Sequence, residues 1–125
     1  MKKLGRLLVG LPMPEEVTRR CLAEFDAVTT EMPLSLEEWV RLAHEHRSEA
    51  ILSTFGRPLR KADLERLPDS LKIIATTSVG FDHIDIASAN ARGVIIANTP
   101  DVVTDATADV TILLMLGALR RAREN

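Results

Sequence analysis

The residues best suited to bind a ligand are Thr77, Ser78, Val79 and Gly80, which form a short polar turn after a predicted strand. A helix is predicted to open directly afterwards, at Asp82. Such a turn brings unpaired backbone N–H groups and the positive end of a helix dipole to one place, and both attract anions. Gly80 has no Cβ, so a ligand can approach the backbone closely there. If the chain holds a small anion such as a carboxylate or phosphate, we therefore expect it at Ser78, Val79 and Gly80.

The same residue types also fit an ordinary turn between a strand and a helix. In that interpretation Gly80 is present because the turn needs a positive φ, and Asp82 is the N-cap of the helix. The residue types alone leave both interpretations open.

Other titratable residues do not add a second predicted site. His44 and His46 lie two apart near the end of a predicted helix, so their side chains point to different sides and do not form a metal site. These two and His83 are predicted to face solvent or to compensate a helix dipole. Three aspartates recur every four residues at the start of the last predicted helix: Asp101, Asp105 and Asp109. They are interpreted as favourable charge at that helix start, since further oxygen ligands for a metal are lacking, and no metal site is predicted.

The chain lacks the patterns of several other classes of binding protein. Its six glycines contain no G-x-G-x-x-G, and no lysine follows a glycine-rich loop as in a Walker A motif. A net charge of -2 and an aromatic content of 3% argue against nucleic-acid binding. The longest apolar run, residues 112–118, is too short to cross a bilayer, and the amino terminus lacks a signal-peptide pattern. We expect a soluble, cytoplasmic protein without a membrane or nucleic-acid partner.

The elements around the turn alternate between strand and helix. Helix starts are indicated by Pro14 and by a capping box of Ser35 and Glu38, and Gly93 is typical of the residue that ends a helix. Leu59, Leu64 and Leu67 indicate a short helix. The strands are predicted over residues 5–11, 27–30, 49–54, 72–76 and 94–97. This alternation predicts an α/β fold with a flavodoxin-like, doubly wound sheet of five parallel strands in the order 2-1-3-4-5.

A long helix follows the sheet, with Thr104 as its predicted cap. Three arginines are predicted in its last turn: Arg120, Arg121 and Arg123. Its middle is apolar on nearly every side, which predicts packing against another domain or subunit. We expect a dimer or a partly swapped oligomer that buries Leu113 and Leu116. The chain is accordingly divided into a lobe over residues 1–100 and a helix over residues 101–125.

Two stretches, SVGFDHIDI and ARGVIIANTPDVVTDATADVTILLMLGALRRARE, resemble the D-isomer-specific 2-hydroxyacid dehydrogenases, in particular their glyoxylate/hydroxypyruvate reductase branch. The resemblance implies a flavodoxin-like substrate lobe, followed in the family by a Rossmann lobe that binds NAD or NADP. It implies that the backbone at Val79 and Gly80, with Ser78 nearby, holds the carboxylate of a 2-oxo acid. The loop of Phe55 and Gly56 would border the same cleft.

The resemblance further implies that Thr107 lies near the cofactor and that the helix over 104–121 belongs to a homodimer interface. The family's glycine-rich cofactor loop, and its later arginine, glutamate and histidine, have no counterpart before Asn125. We therefore expect no catalytic residue and no bound cofactor in this chain, and no activity without the missing Rossmann lobe. Two alternatives are a stand-alone flavodoxin-like module that binds a small carboxylate and a self-associating scaffold.

Overall fold

Strands and helices alternate throughout residues 3–123, the part of the chain that the computed structural model describes. The strands are β1 Arg6–Val9, β2 Asp26–Val28, β3 Ala50–Ser53, β4 Ile73–Thr76 and β5 Ile95–Ala97. The helices are α1 Glu15–Glu24, α2 Leu36–Glu45, α3 Lys61–Glu65, α4 Ile86–Ala91 and α5 Thr104–Leu119.

The strands form one parallel sheet in the order β2-β1-β3-β4-β5, which confirms the predicted fold class and strand order. The order places the carboxyl ends of β3, β4 and β5 side by side at one edge of the sheet. In a doubly wound sheet this edge is where ligands bind, because loops from neighbouring strands meet there.

Alternate residues of the central strands point to opposite faces of the sheet, as strand geometry requires. On one face Leu8, Ile51 and Ile74 pack in the main core, which helices α2, α3 and α4 cover. On the other face Leu7 and Val9 pack against α1. The single cysteine, Cys21, lies on α1, belongs to that smaller cluster and is buried.

The start of α2 agrees with the sequence in detail. The Ser35 hydroxyl accepts a hydrogen bond from the Glu38 N–H, and the Glu38 carboxylate accepts one from the Ser35 N–H at 2.8 Å. This capping box fixes where the helix begins and thereby places Trp39 in the core. The Trp39 indole donates from Nε1 to the carbonyl of Gly10 at 3.1 Å, which ties α2 to the end of β1.

The segment before α4 differs from the prediction. Helix α4 begins at Ile86, and its N-cap is Asp85, whose carboxylate accepts from the Ser88 N–H at 3.0 Å. The assignment of Asp82 as the N-cap was wrong. Leu59 also lies outside a helix, since it forms a parallel bridge with Ile84. Because this bridge requires an extended backbone at Ile84, the helix can begin only after it, and Asp85 becomes the N-cap.

The end of α4 follows the prediction, because Gly93 has a φ of 71° just after the helix. A left-handed residue at this position is readily adopted only by glycine, which confirms its role in ending the helix.

Helix α5 buries none of its residues. Its large apolar side chains are exposed by between 53% for Val110 and 76% for Leu119. Thr104 is its first helical residue rather than its cap, and the cap position is held by Val103 without a side-chain hydrogen bond. Arg120, Arg121 and Arg123 follow the helix instead of lying in its last turn. The predicted lobe over residues 1–100 and the predicted helix over residues 101–125 each extend beyond the described residues, by residues 1–2 and 124–125 respectively.

None of the helices within residues 3–123 has the length and apolarity that crossing a bilayer requires.

Candidate functional site

The turn after β4 has every carbonyl of its central residues fixed by a hydrogen bond. The Ser78 carbonyl accepts from the Thr99 N–H at 3.1 Å, and the Val79 carbonyl accepts from Asn98 Nδ2 at 2.7 Å. The Gly80 carbonyl accepts from the Ser78 hydroxyl at 2.7 Å. Two of these donors come from the segment after β5, so the neighbouring strand positions the turn.

The N–H groups of the same residues are unpaired. Within residues 3–123, Ser78, Val79 and Gly80 donate no backbone hydrogen bond to a protein acceptor. All peptide bonds here are trans, so each N–H points away from the carbonyl of its own peptide group. Fixing the Ser78 and Val79 carbonyls therefore fixes the directions of the Val79 and Gly80 N–H groups. Successive free N–H groups of this kind are a recurrent anion-binding arrangement.

A cleft of about 380 Å³ opens beside this turn and is lined by Phe55, Ser78, Gly80, Asp82 and His83. The structure thus brings together three of the predicted site residues, Phe55, Ser78 and Gly80. Phe55 is 73% exposed at the rim, where it leaves the cleft open.

The other predicted residues lie elsewhere. Gly56 lines a neighbouring cavity of about 270 Å³ that also includes Trp39 and Arg57. Val79 is adjacent to the cleft in the chain but does not line it. Thr107 lies exposed on α5, where its carbonyl accepts from the Thr111 hydroxyl at 2.7 Å. Among residues 3–123 no hydrogen bond links Thr107 to the lining of the cleft, and its role near a cofactor stays a prediction.

The charges around the cleft oppose one another. The carboxylate of Asp82 lines the cleft and disfavours an anion there, while the Arg60 guanidinium donates to the Asp82 carbonyl at 3.2 Å. Both side chains are exposed, so solvent and salt weaken their electrostatic effect on a bound anion. Backbone N–H groups, rather than a charged side chain, are the principal anion-attracting feature of the site.

His83 was predicted to face solvent or to compensate a helix dipole, and the structure places it half-buried in the cleft wall. Its Nε2 lies 3.3 Å from the Thr76 hydroxyl. Burial lowers the pKa of the imidazole below its ordinary value; the charge of Asp82 opposes this and that of Arg60 adds to it. His83 is therefore neutral at neutral pH.

The free energy of unfolding is expected to depend on His83 in mildly acidic solution. The pKa of His83 in the folded chain is below its ordinary value of 6.5, so the unfolded chain binds the proton more readily. The contribution is fully present above pH 6.5 and is lost as the pH falls through the folded pKa. Urea unfolding midpoints measured from pH 8 down to about pH 5 test this, with His83→Gln as the variant that lacks the dependence. Equal slopes in both proteins would contradict it.

No three His, Cys, Asp or Glu side chains among residues 3–123 are grouped closely enough to hold a metal ion. The arrangement can bind and orient an anion through N–H groups.

Comparison with known proteins adds the decisive observation. Residues 7–125 match the protein family described as "D-isomer specific 2-hydroxyacid dehydrogenase, catalytic domain". The chain belongs to this family.

Two members of the 2-hydroxyacid dehydrogenase family illustrate the likeness. The chain is 36% identical over 121 residues to a glycerate dehydrogenase from Hyphomicrobium methylovorum, covering 95% of this chain and 37% of that protein. It is 40% identical over 92 residues to a glyoxylate reductase from Thermofilum pendens, covering 74% of this chain and 26% of that one. The chain therefore spans only about a third of the length of these curated family members.

A solved 2-hydroxyacid dehydrogenase superposes on the same fold. It is described as a putative D-isomer specific 2-hydroxyacid dehydrogenase, NAD-binding, from Polaromonas sp. JS6 66, with a TM-score of 0.75 and 29% identity. The match covers 91% of this chain and 36% of that one.

Three residues of the candidate site in this family member were not predicted from the sequence. Asn98 fixes the turn from the end of β5, the Thr76 hydroxyl contacts that of Ser78, and His83 contacts Thr76. Asn98 was not predicted as a site residue, although the predicted strand order already placed the end of β5 beside that of β4. The interpretation of Gly80 as a positive-φ residue is also wrong, since Gly80 does not have a positive φ.

Proposed function

We propose that this chain is the substrate-binding lobe of an NAD(P)-dependent D-2-hydroxyacid dehydrogenase of the glyoxylate/hydroxypyruvate reductase type. Its turn at Ser78, Val79 and Gly80 binds the carboxylate of a 2-oxo acid, which the complete enzyme reduces to a 2-hydroxy acid. The loop of Phe55 and Gly56 borders the substrate. We also propose that the chain divides into a lobe over residues 1–100 and a helix over residues 101–125, and that its location is cytoplasmic.

The arrangement of the turn carries the proposal. Its carbonyls are all occupied by protein donors, and the N–H groups of Ser78, Val79 and Gly80 have no protein acceptor within the described residues. A carboxylate supplies the missing acceptors, and hydrogen bonds to a charged acceptor are stronger than those to a neutral one. The open cleft of about 380 Å³ is large enough for a small 2-oxo acid.

In the proposed function this chain does not hold the dinucleotide by itself. Its glycines contain no G-x-G-x-x-G, and no group other than Thr107 is proposed to approach NAD or NADP. In the proposed function a Rossmann lobe outside this chain supplies the cofactor and the groups that polarise and protonate the substrate. The chain alone binds substrate without turning it over.

An amide-resolved NMR titration of the chain with glyoxylate tests the proposed site. We expect saturable shifts centred on Ser78, Val79 and Gly80, because their N–H groups gain an acceptor. Gly80→Ala is expected to weaken binding about tenfold, since a Cβ intrudes where the carboxylate approaches the backbone.

The same substitution leaves the fold unchanged, because a Cβ at Gly80 meets only Asp82 Oδ2, at an ordinary 3.5 Å. Thermal unfolding of Gly80→Ala controls for this. Shifts spread evenly over the surface, or equal affinity in both proteins, would contradict the proposed site. The proposal assigns substrate binding to this chain and cofactor binding to a separate Rossmann lobe. Oxidation of NADH above background by this chain alone, with glyoxylate or hydroxypyruvate, would contradict that assignment.

The exposure of α5 favours a second candidate, a self-associating scaffold. Its apolar side chains have no covering partner among the described residues, although apolar patches of this kind mark interaction sites. A scaffold without a ligand predicts association but no glyoxylate-dependent shifts.

A further inference from the structure

Three hydrogen bonds beneath the candidate site connect a histidine to the backbone of Gly80. His83 Nε2 lies 3.3 Å from Thr76 Oγ1, and Thr76 Oγ1 lies 2.7 Å from Ser78 Oγ. Ser78 Oγ in turn lies 2.7 Å from the Gly80 carbonyl oxygen. Thr76 is the last residue of β4 and is 2% exposed, so this chain of contacts is anchored in the core.

The chemistry of the groups fixes the direction of these bonds. A carbonyl oxygen only accepts, so the one hydroxyl proton of Ser78 goes to Gly80. The contact between Ser78 and Thr76 then requires the hydroxyl proton of Thr76. With both hydroxyl protons used, Thr76 can only accept from His83, whose Nε2 must carry a proton. In neutral His83 the lone pair is therefore on Nδ1.

This relay of hydrogen bonds, from His83 through Thr76 and Ser78 to Gly80, ends on the residue of the site with the most backbone freedom. Glycine has more backbone freedom than any other residue, and ordering it on binding lowers affinity. The bond from Ser78 fixes the peptide group between Gly80 and Phe81, while Asn98 fixes the one between Val79 and Gly80. Gly80 is thus held on both sides before any ligand arrives.

We infer that Thr76 and His83 are positioning residues for the carboxylate site: their one-way relay through Ser78 holds Gly80 in the conformation that binds an anion. This inference rests on the proposed function for its consequence, but the relay itself is a property of the ligand-free chain. His83 contributes a neutral N–H donor, and it is not required to carry charge.

The ligand-free chain tests the relay without any reference to binding. Long-range ¹H–¹⁵N spectra are expected to show His83 protonated at Nε2 in the neutral form. Ser78→Ala removes the acceptor of the Thr76 proton, which then turns toward His83 Nε2. His83 is expected to shift toward the tautomer protonated at Nδ1, a change that a purely structural role of Ser78 would not produce. An unchanged tautomer in a well-dispersed spectrum of Ser78→Ala overturns the inference.

Binding of glyoxylate tests the consequence of the relay. Thr76→Val keeps the shape of the side chain but removes the hydroxyl, and we expect it to weaken binding about 3- to 10-fold, the effect of one lost hydrogen bond. Thr76→Ser restores the hydroxyl and is expected to restore affinity. His83→Gln keeps an N–H donor in place of Nε2 and is expected to bind glyoxylate more tightly than His83→Phe, which has no donor.

The two sets of results separate the inference from the proposed function. If glyoxylate causes no saturable shifts but Ser78→Ala changes the His83 tautomer, the proposed function fails and the relay stands. If glyoxylate binds and Thr76→Val binds it equally well, the proposed site stands and the positioning role is overturned. Thr76→Ser also controls for folding. If both Thr76 variants lose their structure, the His83 variants decide: equally tight binding by His83→Phe and His83→Gln overturns the positioning role.

Discussion

Replacing Gly10 by alanine is expected to lower the free energy of unfolding by about 2 to 6 kcal/mol. An added Cβ would lie 1.7 Å from Trp39 Nε1 and 2.1 Å from Trp39 Cε2, far inside any real contact. The indole is 1% exposed in the main core, so moving it away from the added Cβ disturbs the side chains packed around it.

Two separate losses combine in this variant. Overpacking a core costs about 1 to 3 kcal/mol, and a buried donor without its acceptor costs about 1 to 3 kcal/mol more. The second loss arises because Trp39 Nε1 donates to the Gly10 carbonyl, and moving the ring breaks that bond. Domains of this size have a total stability of about 5 to 15 kcal/mol, so the variant is expected to be partly unfolded or close to it.

Urea unfolding followed by tryptophan fluorescence measures the effect, because Trp39 is the only tryptophan in the chain. Gly5→Ala is the matched control just before the same strand, since its Cβ would meet only Glu49 Oε2, at 3.5 Å. We expect it to change stability by less than about 0.5 kcal/mol. Equal unfolding midpoints for the two variants would contradict the account of the Gly10 contact.

Features set by neighbours in the sequence were predicted well. The capping box of Ser35 and Glu38 needs only residues three apart, and Gly93 needs only the end of its own helix. The strand order followed from alternation alone, since parallel strands joined by helices have few allowed topologies. The capping box and Gly93 depend on local backbone geometry, which residue types reveal, and the strand order depends on the small number of allowed connections.

Features set by contacts distant in the sequence were missed. Asp82 and Asp85 both have the residue type of an N-cap, and the bridge from Leu59 to Ile84 decides between them. Asn98 reaches the turn only because β5 lies beside β4 in the folded sheet. The carboxylate site was proposed from the residues of its turn and stays a prediction, whereas the bonds that fix the shape of that turn come from the segment after the next strand.

Helix α5 leads to the second prediction of large effect, that the chain associates through this helix. Leu113 and Leu116 are one turn apart on one side of the helix and are 66% and 56% exposed. Leaving such side chains in water is unfavourable by about 1.5 to 3 kcal/mol each compared with full burial. We expect a dimer or partly swapped oligomer in light scattering at micromolar concentration.

Charging this side of the helix is expected to dissociate the assembly. The double variant Leu113→Glu and Leu116→Glu should weaken association about 100-fold or more, because two central apolar anchors are lost and like charges face each other. Glutamate forms helix nearly as well as leucine, so α5 itself is preserved. Circular dichroism confirms that preservation.

A matched double variant separates this effect from added charge in general. Leu22→Glu with Met32→Glu also adds two carboxylates at exposed apolar positions, 47% and 71% exposed, but away from α5. This variant is expected to associate like the unmodified chain. If the unmodified chain is a monomer at high concentration, or if both double variants dissociate alike, α5 is not the surface through which the chain associates. Association that depends on α5 alone would explain how a helix without any buried residue persists in this chain: its apolar side chains are covered by a second copy.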